Sequence, residues 1–425
     1  MEELKKIFAT ATFRQSLITF SGTVLNGLLG AVFYVLAARA LGPVSFGLLI
    51  IAITMLTLIA DIAGLGTDTG LVRFIGKYST SDPIKVKRFL KLGLEVKIFV
   101  WILVLILGLI LAPFIATNIF IKPELSSPLR LSFIGVGASL LFSYIIHTLQ
   151  GFQRFWSWSG IQIGTNTLRV LIIVALVISG NIGLVNTLGS YLITPFLGFV
   201  FGLFLLPKNF FRVKEEFSVV KEFFHYNKWV ASFAIISATS ARLDTFFLAR
   251  LLPVREVGYY SAATQITTVV PQIVVAIGTV IAPKMASMGK IKDLVIYLKK
   301  TQLLVLGLAF LGIISIPFVI FLIPSLYGEE YIPAILPFVI HFLAMLIFLI
   351  SVPVHNAVIY YFGKPSLFFW ISLFNLMIVI LLGWNLISSY GAVGAAATVL
   401  VSTIFNFIVP TLWVIPKMRG LRKSS

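Results

Sequence analysis

The sequence predicts an all-α integral membrane protein of about twelve transmembrane helices, arranged as two six-helix lobes related by a parallel repeat. Three observations predict it: an extreme apolar composition, a one-sided distribution of basic residues, and a motif that recurs half a chain apart. Of 425 residues, 59% are hydrophobic and only 11% are charged, against about 25% charged in soluble domains; the mean hydropathy is +1.04. A soluble surface needs charge to stay dispersed, so a soluble enzyme, a disulfide scaffold and a disordered chain are excluded. The apolar stretches are long runs rather than alternating positions, which selects helices over barrel strands.

The runs predict spans near 15–38, 44–76, 91–117, 128–152, 157–179, 183–206, 228–250, 256–284, 300–323, 332–358, 366–387 and 391–415. Gly42-Pro43, Lys122-Pro123, Gly180-Asn181, Pro253, Pro324 and Gly363-Lys364-Pro365 punctuate them. The opening MEELKKIFATATFRQ is not expected to be a cleaved leader, because the apolar run after it is long and no small-residue cleavage site follows a short core.

With the N-terminus placed in the cytoplasm, 26 of the 33 Lys and Arg fall in inner segments, 5 fall in outer loops, and Arg169 and Arg242 lie within spans. That asymmetry predicts cytoplasmic termini in the cell (plasma) membrane. It also makes the net charge of +18 a matter of topology and anionic-lipid contact, not of nucleic acid. Trp156, Trp158, Trp229, Trp370 and Trp413 fall near inner span ends, where indoles favour the headgroup zone. The longest hydrophilic stretch joins residues 1–206 to residues 228–425. In this linker of 207–227, Val213, Phe217, Val220 and Phe224 recur at helical spacing and predict an amphipathic helix in the inner interface.

Arg39, Pro43 and Gly47 stand in LAARALGPVSFG, and Arg250, Pro253 and Gly258 in LARLLPVREVG. Each run from Arg to Gly takes eight steps, and the two are 211 residues apart, in the outer turn after the first span of each half. Parallel repeats of this kind mark transporters, with the substrate path between the halves.

LAARALGPVSFGLLIIA, GLGTDTGLVRFIGKY and, in the second half, RLDTFFLARLLPVREVGYYSAATQI resemble the polysaccharide-biosynthesis (Wzx-type oligosaccharide) flippases. That family is grouped with lipid II flippases and multidrug and toxin extruders, and the resemblance covers essentially the whole chain. It implies a V-shaped pair of lobes that moves a polyprenyl-diphosphate-linked oligosaccharide from the cytoplasmic to the outer leaflet. It further implies glycan polymerases or glycosyltransferases as partners. Asp244 recurs in this family at the RLDTFFLAR position.

A diphosphate asks for cations along its route, and sugars ask for amides and hydroxyls. In the fifth span Gln162, Asn166 and Arg169 share one face, and Arg169 lies near mid-depth, where a charge needs water or a partner. In the fourth, Ser143, His147, Gln150 and Arg154 descend toward the inner surface. Arg154 serves equally as a polar wall or as an inner-loop charge, and His147 reads as a hydrogen-bonded packing residue. The first span adds Thr19, Thr23 and Asn26. In the second span, Asp61 and Asp68 lie seven apart around Gly64, Gly66 and Gly70, which suggests either a cation-coupled gate or ion pairing, for example Asp61 with Arg169. Arg73 and Lys77 stand at the inner mouth as diphosphate attractants or as topology charges.

In the seventh span Arg242 and Asp244 are two apart and cannot face each other. Arg242 is expected to be the cavity cation of the second lobe; Asp244 serves in coupling or in structural pairing. Ser261, Gln265, Thr268 and Gln272 form an uncharged stripe on the eighth span, and Thr398, Ser402 and Asn406 one on the twelfth. Both suit sugar hydroxyls or helix packing alike. Glu329 and Glu330 are expected to be solvated in an outer loop.

With no Cys and four scattered His, the chain offers no disulfide, thiolate site or HExxH pair, and no cofactor or metal is expected. Fifteen acidic residues, short outer loops and no GxxxxGK[ST] loop argue for a non-enzymatic transporter. Two other functions remain: a multidrug extruder coupled to Na⁺ or H⁺, and a membrane-embedded glycan polymerase, ligase or scaffold.

Overall fold

The computed structural model describes residues 11–214, 216–364 and 366–423, with side chains between residues 18 and 418 other than 229, 233, 279 and 283. The expectations on the leader at residues 1–10, on the Trp229 side chain and on Pro365 lie outside the described residues. Among these residues every regular element is helical, and no strand occurs. The reason is the solvent: in hydrocarbon each backbone N–H and C=O must be satisfied within its own segment.

The helices are α1 (Ala11–Ala63), α2 (Thr67–Tyr78), α3 (Pro83–Phe114), α4 (Ser126–Gly151), α5 (Phe155–Ile178), α6 (Leu184–Leu203), α7 (Phe217–Ser240), α8 (Leu243–Leu251), α9 (Val254–Thr267), α10 (Val269–Ala286), α11 (Ile291–Tyr327), α12 (Ile335–Asn356) and α13 (Ser366–Lys423). Among the described residues, nine stretches are long and apolar enough to cross a membrane. Two of them are double. The first turns at Gly42 (φ 70°) and the last at Gly391 (φ 61°), a left-handed conformation that favours glycine. The expected seventh span is carried by α7 and α8 in succession. With that span and the two turns, the twelve expected spans are accounted for.

The chain divides into two compact units. The first comprises the residues up to Leu41 and Leu48–Arg242; the second comprises Gly42–Gly47 and the residues from Leu243 onward. The boundary therefore falls at 242, beyond the expected linker, and α7 goes with the N-terminal unit.

The N-terminal unit is centred on α2, α3, α4 and the start of α7. Leu71, Phe74, Phe89, Tyr144, Leu149 and Phe223 form one buried cluster there. The rings of Phe74 and Phe89 stack at 4.5 Å, and Phe223 lies 6.0 Å from Phe74. Val219 and Phe223 are thus the inward face of α7. The expected stripe is offset from this face: Phe217 is 81% exposed and Phe224 is also exposed. The helix is amphipathic, but it docks on α2 and α3 by a face the stripe omits, and it runs on into the seventh span instead of ending before it.

Ion pairs fasten this docking. Glu222 accepts from Lys85 Nζ at 2.8 Å and from the Tyr78 hydroxyl at 2.8 Å, with Lys77 at 3.5 Å. Glu216 pairs with Arg88 and accepts from Ser218. Arg73 lies over the Tyr226 ring at 4.5 Å. Partial burial of Glu222 raises its pKa, but Lys85, Tyr78 and Lys77 more than offset this, and its carboxyl is held below the ordinary 4.5. The Ser218 hydroxyl and Arg88 do the same for Glu216.

In the C-terminal unit the two repeat motifs grip each other. A Cβ on Gly47 would lie 2.3 Å from the Val254 carbonyl oxygen, and one on Gly258 would lie 2.2 Å from the Pro43 carbonyl oxygen. Each motif supplies the glycine that lets the other's backbone approach. Phe46 packs edge-on to Tyr331 beside them, and Glu256 accepts from the Ala392 N–H at 3.2 Å after the Gly391 turn. Ile281, Met285, Ile291, Leu294 and Ala357 form the core at the other end of this unit.

Two outcomes are expected. Gly258→Leu forces a side chain into backbone that cannot yield, so the purified protein loses about 1–3 kcal/mol or more of stability, read as a lower melting temperature in detergent. The depressed carboxyls of Glu216 and Glu222 contribute stability above their unfolded-state pKa. That contribution is lost as pH falls through the lower folded-state values. Protease cutting of the segment before α7 therefore accelerates below about pH 4.5, and high salt at neutral pH reproduces part of the effect.

Candidate functional site

Arg169 stands on α5, near the middle of the fifth span. Its Nη1 donates to Asn166 Oδ1 at 2.8 Å, one turn back, and its Nε donates to Thr194 Oγ1 on α6 at 3.2 Å. The guanidinium lies over the Tyr191 ring at 4.2 Å and near Phe33 at 5.7 Å. Asn166 Nδ2 in turn donates to Asn26 Oδ1 on α1. Since Oδ1 of Asn166 meets a cation, its amide orientation is set, and the relay Asn26–Asn166–Arg169 has one polarity. The guanidinium borders a cavity of about 160 Å³, with Thr57, Ser139, Thr165, Asn166 and Tyr191 also in its wall. Among the described residues no carboxylate reaches Arg169; every group that holds it is neutral. Gln162 stays apart, with its amide bonded to the Trp158 carbonyl one turn back.

The carboxylates of this unit lie elsewhere. The helix breaks after Ala63: Leu65 (φ 48°) and Gly66 (φ 68°) both adopt left-handed conformations, and α2 starts anew at Thr67. The α7 backbone lies directly over the break, where a Cβ on Gly66 would meet Ala231 N at 2.9 Å. Asp68 is thereby set in the first turn of α2, where a helix favours a negative charge. Its Oδ1 meets Lys97 Nζ at 2.8 Å, and its Oδ2 accepts from Ser143 Oγ at 2.7 Å. His147 Nδ1 lies 3.4 Å from Oδ1, and it also contacts the Ser143 carbonyl oxygen at 2.9 Å. Lys97 is a buried cation, 1% exposed. Counting it among the inner-mouth charges misses it. The available signal is its place inside the expected third span, before IFVWILVLIL.

Asp61 pairs with Arg242, Nη2 to Oδ2 at 2.7 Å, while Arg242 Nε donates to Thr57 Oγ1 at 3.2 Å. Two expectations are corrected here. Asp61 does not pair with Arg169, and Arg242 is not the cavity cation of the second lobe. Arg242 follows the end of α7 and closes on the N-terminal unit. Nor do Asp61 and Asp68 share a helix face, because the break at 64–66 separates them. Arg154 donates to the Leu205 carbonyl at 2.7 Å, just past the end of α6, a helix-terminal contact and not part of the Arg169 wall. Gln150 is exposed beside it. Arg73 and Lys77 are drawn onto Tyr226 and Glu222 as described above.

In the C-terminal unit Asp244 accepts from the Tyr260 hydroxyl and from the Thr245 N–H at 2.6 Å. Gln265 and Gln272 fall on separate helices, α9 and α10, because the helix is interrupted at Thr268, whose hydroxyl turns back to the Gln265 carbonyl at 2.7 Å. The expected amide stripe is therefore interrupted. Thr267, unmarked in the sequence reading, contacts His341 Nδ1 at 2.8 Å. On α13 Thr398 bonds its own helix at the Gly394 carbonyl, Ser402 bonds Asn375, and the Asn406 carbonyl faces His355 Nε2 at 2.9 Å. These are packing contacts. Glu329 and Glu330 are exposed.

The profile of the family described as "Polysaccharide biosynthesis protein" matches residues 13–289. No curated protein matches the sequence. Among solved structures, the chain is similar to an inward-facing multidrug resistance MATE family transporter of the MOP superfamily (TM-score 0.75, 13% identity, 94% of this chain and 96% of that one). It is also similar to the lipid II flippase MurJ in an inward closed conformation (TM-score 0.73, 16% identity, 95% and 89%). A third is a MOP superfamily transporter from Pyrococcus furiosus, described as having a binding pocket of reverse polarity (TM-score 0.65, 13% identity, 96% and 95%). These likenesses identify a transporter fold of a multi-pass membrane protein.

Removing one partner of the buried pair leaves an uncompensated charge. Lys97→Met should cost about 3–5 kcal/mol and sharply reduce the folded yield in membranes. Lys97→Met with Asp68→Asn should recover most of it. A double variant no better than the single one would show that the two side chains are not coupled.

Proposed function

We propose that this chain, which belongs to the polysaccharide biosynthesis protein family, is a flippase that moves a polyprenyl-diphosphate-linked oligosaccharide from the cytoplasmic to the outer leaflet by alternating access. The observation that carries this reading is Arg169: a cation inside a membrane-spanning unit, held by neutral groups at the wall of a cavity. A cation left without a carboxylate in low dielectric attracts an anion strongly. Its planar fork matches phosphate oxygens, and Tyr191 and Phe33 fix the plane of that fork. Asn166, Thr57 and Ser139 offer amide and hydroxyl groups for sugar.

Two carboxylates of the same unit weigh against drug-cation export as the main activity. Asp61 is engaged by Arg242, and Asp68 by Lys97. A bound organic cation would first have to displace a resident one. The family and the likeness to a lipid II flippase support a lipid-linked substrate. In this reading the relay Asn26–Asn166–Arg169 binds the headgroup, the chain of the lipid stays outside the cavity, and no bond of the substrate is made or broken.

Liposomes containing the purified chain and a fluorescent polyprenyl-diphosphate oligosaccharide test the reading through exposure of the fluorophore to an impermeant quencher. Loss of one charge-assisted hydrogen bond costs about 1.5–3 kcal/mol, so Arg169→Ala should slow crossing by about tenfold to a hundredfold, and Arg169→Lys by less. Wild-type crossing by Arg169→Ala, in protein inserted at normal levels, would remove Arg169 from the route. A wild-type chain that moves organic cations and not this lipid would replace the reading with drug export.

A further inference from the structure

Gly160 and Gly164 stand four residues apart on α5, one turn above the other, and Leu168 continues the line. Glycine weakens a helix relative to alanine. In membrane helices its usual use is to let a neighbouring helix come close. Neither of these glycines is used that way: a Cβ built on either meets nothing within 4 Å. Gly198, facing them from α6, is the contrast, since its Cβ would lie 2.6 Å from Thr165 Oγ1. The open space before Gly160 and Gly164 is a groove of about 260 Å³, walled by Leu168, Leu197, Gly198 and Phe201. Phe201 is 65% exposed, so the groove is open along one side.

The groove adjoins the Arg169 cavity. Thr165 lines both. Thr194, whose hydroxyl accepts from Arg169 Nε, stands in the groove wall. A cation and an apolar channel thus lie on two sides of a shared threonine wall, the arrangement that fits an amphiphile whose anion adjoins its chain.

We propose that this groove between α5 and α6 seats the first isoprene units of the substrate's polyprenyl chain while the diphosphate reaches Arg169; the proposal rests on the flippase reading above. From Gly160 to Leu168 the line runs about 12 Å at 1.5 Å per residue. Apolar contact alone gives a chain no reason to leave bulk lipid, because lipid tails are as apolar as leucine. Shape supplies the reason. The methyl branches of an isoprenoid need width, and two absent side chains provide it. A straight acyl chain gains less from the same width. The groove thereby selects the class of lipid carrier, and Arg169 the anionic headgroup.

The test compares two probes in reconstituted liposomes: a fluorescent sugar diphosphate on a polyprenyl chain, and the same headgroup on a straight saturated chain of equal length. The wild type should move the polyprenyl probe faster, and Gly164→Leu, which fills the groove, should lower that preference about tenfold. Gly307→Leu, at an equally open glycine on α11, should keep the wild-type preference. A diazirine on the first isoprene unit should label the α5–α6 region of the wild type, a readout that needs neither transport nor the variant. Label confined to other helices, equal rates for both chains, or equal labelling of α5–α6 by a diazirine phospholipid would each overturn the groove proposal. Labelling of α5–α6 by the isoprenoid probe without movement of either probe would instead sink the flippase reading and leave the groove as an isoprenoid-binding site.

Discussion

A charge placed in hydrocarbon must be matched by another charge, by hydrogen bonds or by water. The N-terminal unit is organised around how it meets that demand. Five of its charged side chains carry this arrangement: Asp61, Asp68, Lys97, Arg169 and Arg242. The two carboxylates and two of the cations neutralise one another, Asp68 with Lys97 and Asp61 with Arg242. The pairs do different work. Lys97 with Asp68 ties α3 to the first turn of α2, and Arg242 with Asp61 ties the end of α7 to the end of α1. Arg169 is then the residual cation, stabilised by a threonine, an amide and two aromatic rings. Because the pairing is complete without it, Arg169 can meet an anionic ligand without breaking a structural bond.

Broken helices make this allocation possible. A continuous helix through residues 61–68 would put both aspartates on one side, where they would repel each other and compete for the same cation. The left-handed turn at Leu65 and Gly66 sends them to different neighbours. It also exposes the start of α2, whose dipole favours the Asp68 carboxylate. The same turn admits the α7 backbone, so the seventh span is seated against the second by the feature that separates the charges.

The spans were legible because a membrane demands apolar length and little else, and a run such as IFVWILVLILGLILA admits one reading. The repeat was legible as well, since LGPVSFG and LPVREVG keep their glycines in register. That those glycines clasp each other was not, because spacing carries no information about which surface a turn meets. The partners of the charges were hidden for a similar reason. The i, i+7 relation of Asp61 and Asp68 holds only on an unbroken helix. Lys97 was masked by the six other cations expected at the inner mouth, with which it was counted. Thr267 carried no signal either, since its contact with His341 joins residues 74 positions apart. The stripe before and along α7 misled by a small rotation: Val213, Phe217, Val220 and Phe224 are helical in spacing, but Val213 precedes the helix, and the protein buries Val219 and Phe223 and leaves Phe217 and Phe224 outward.

The clasp between the two motifs also imposes a schedule on synthesis. The Gly42–Gly47 turn belongs to the second unit, and its partners Val254 and Gly258 are made about two hundred residues later. At about 5–20 residues per second, that interval is on the order of ten to forty seconds. Through it the first two spans stand in the bilayer with an incomplete turn between them, its polar backbone covered only by headgroups or by the insertion machinery. All residues of the first unit precede Leu243, so the turn at Gly42–Gly47 is the one early segment that waits for later chain to pack. A helix from the middle of the chain closes a junction that the first helices opened, and a chain cut off before it ends with that junction unmade.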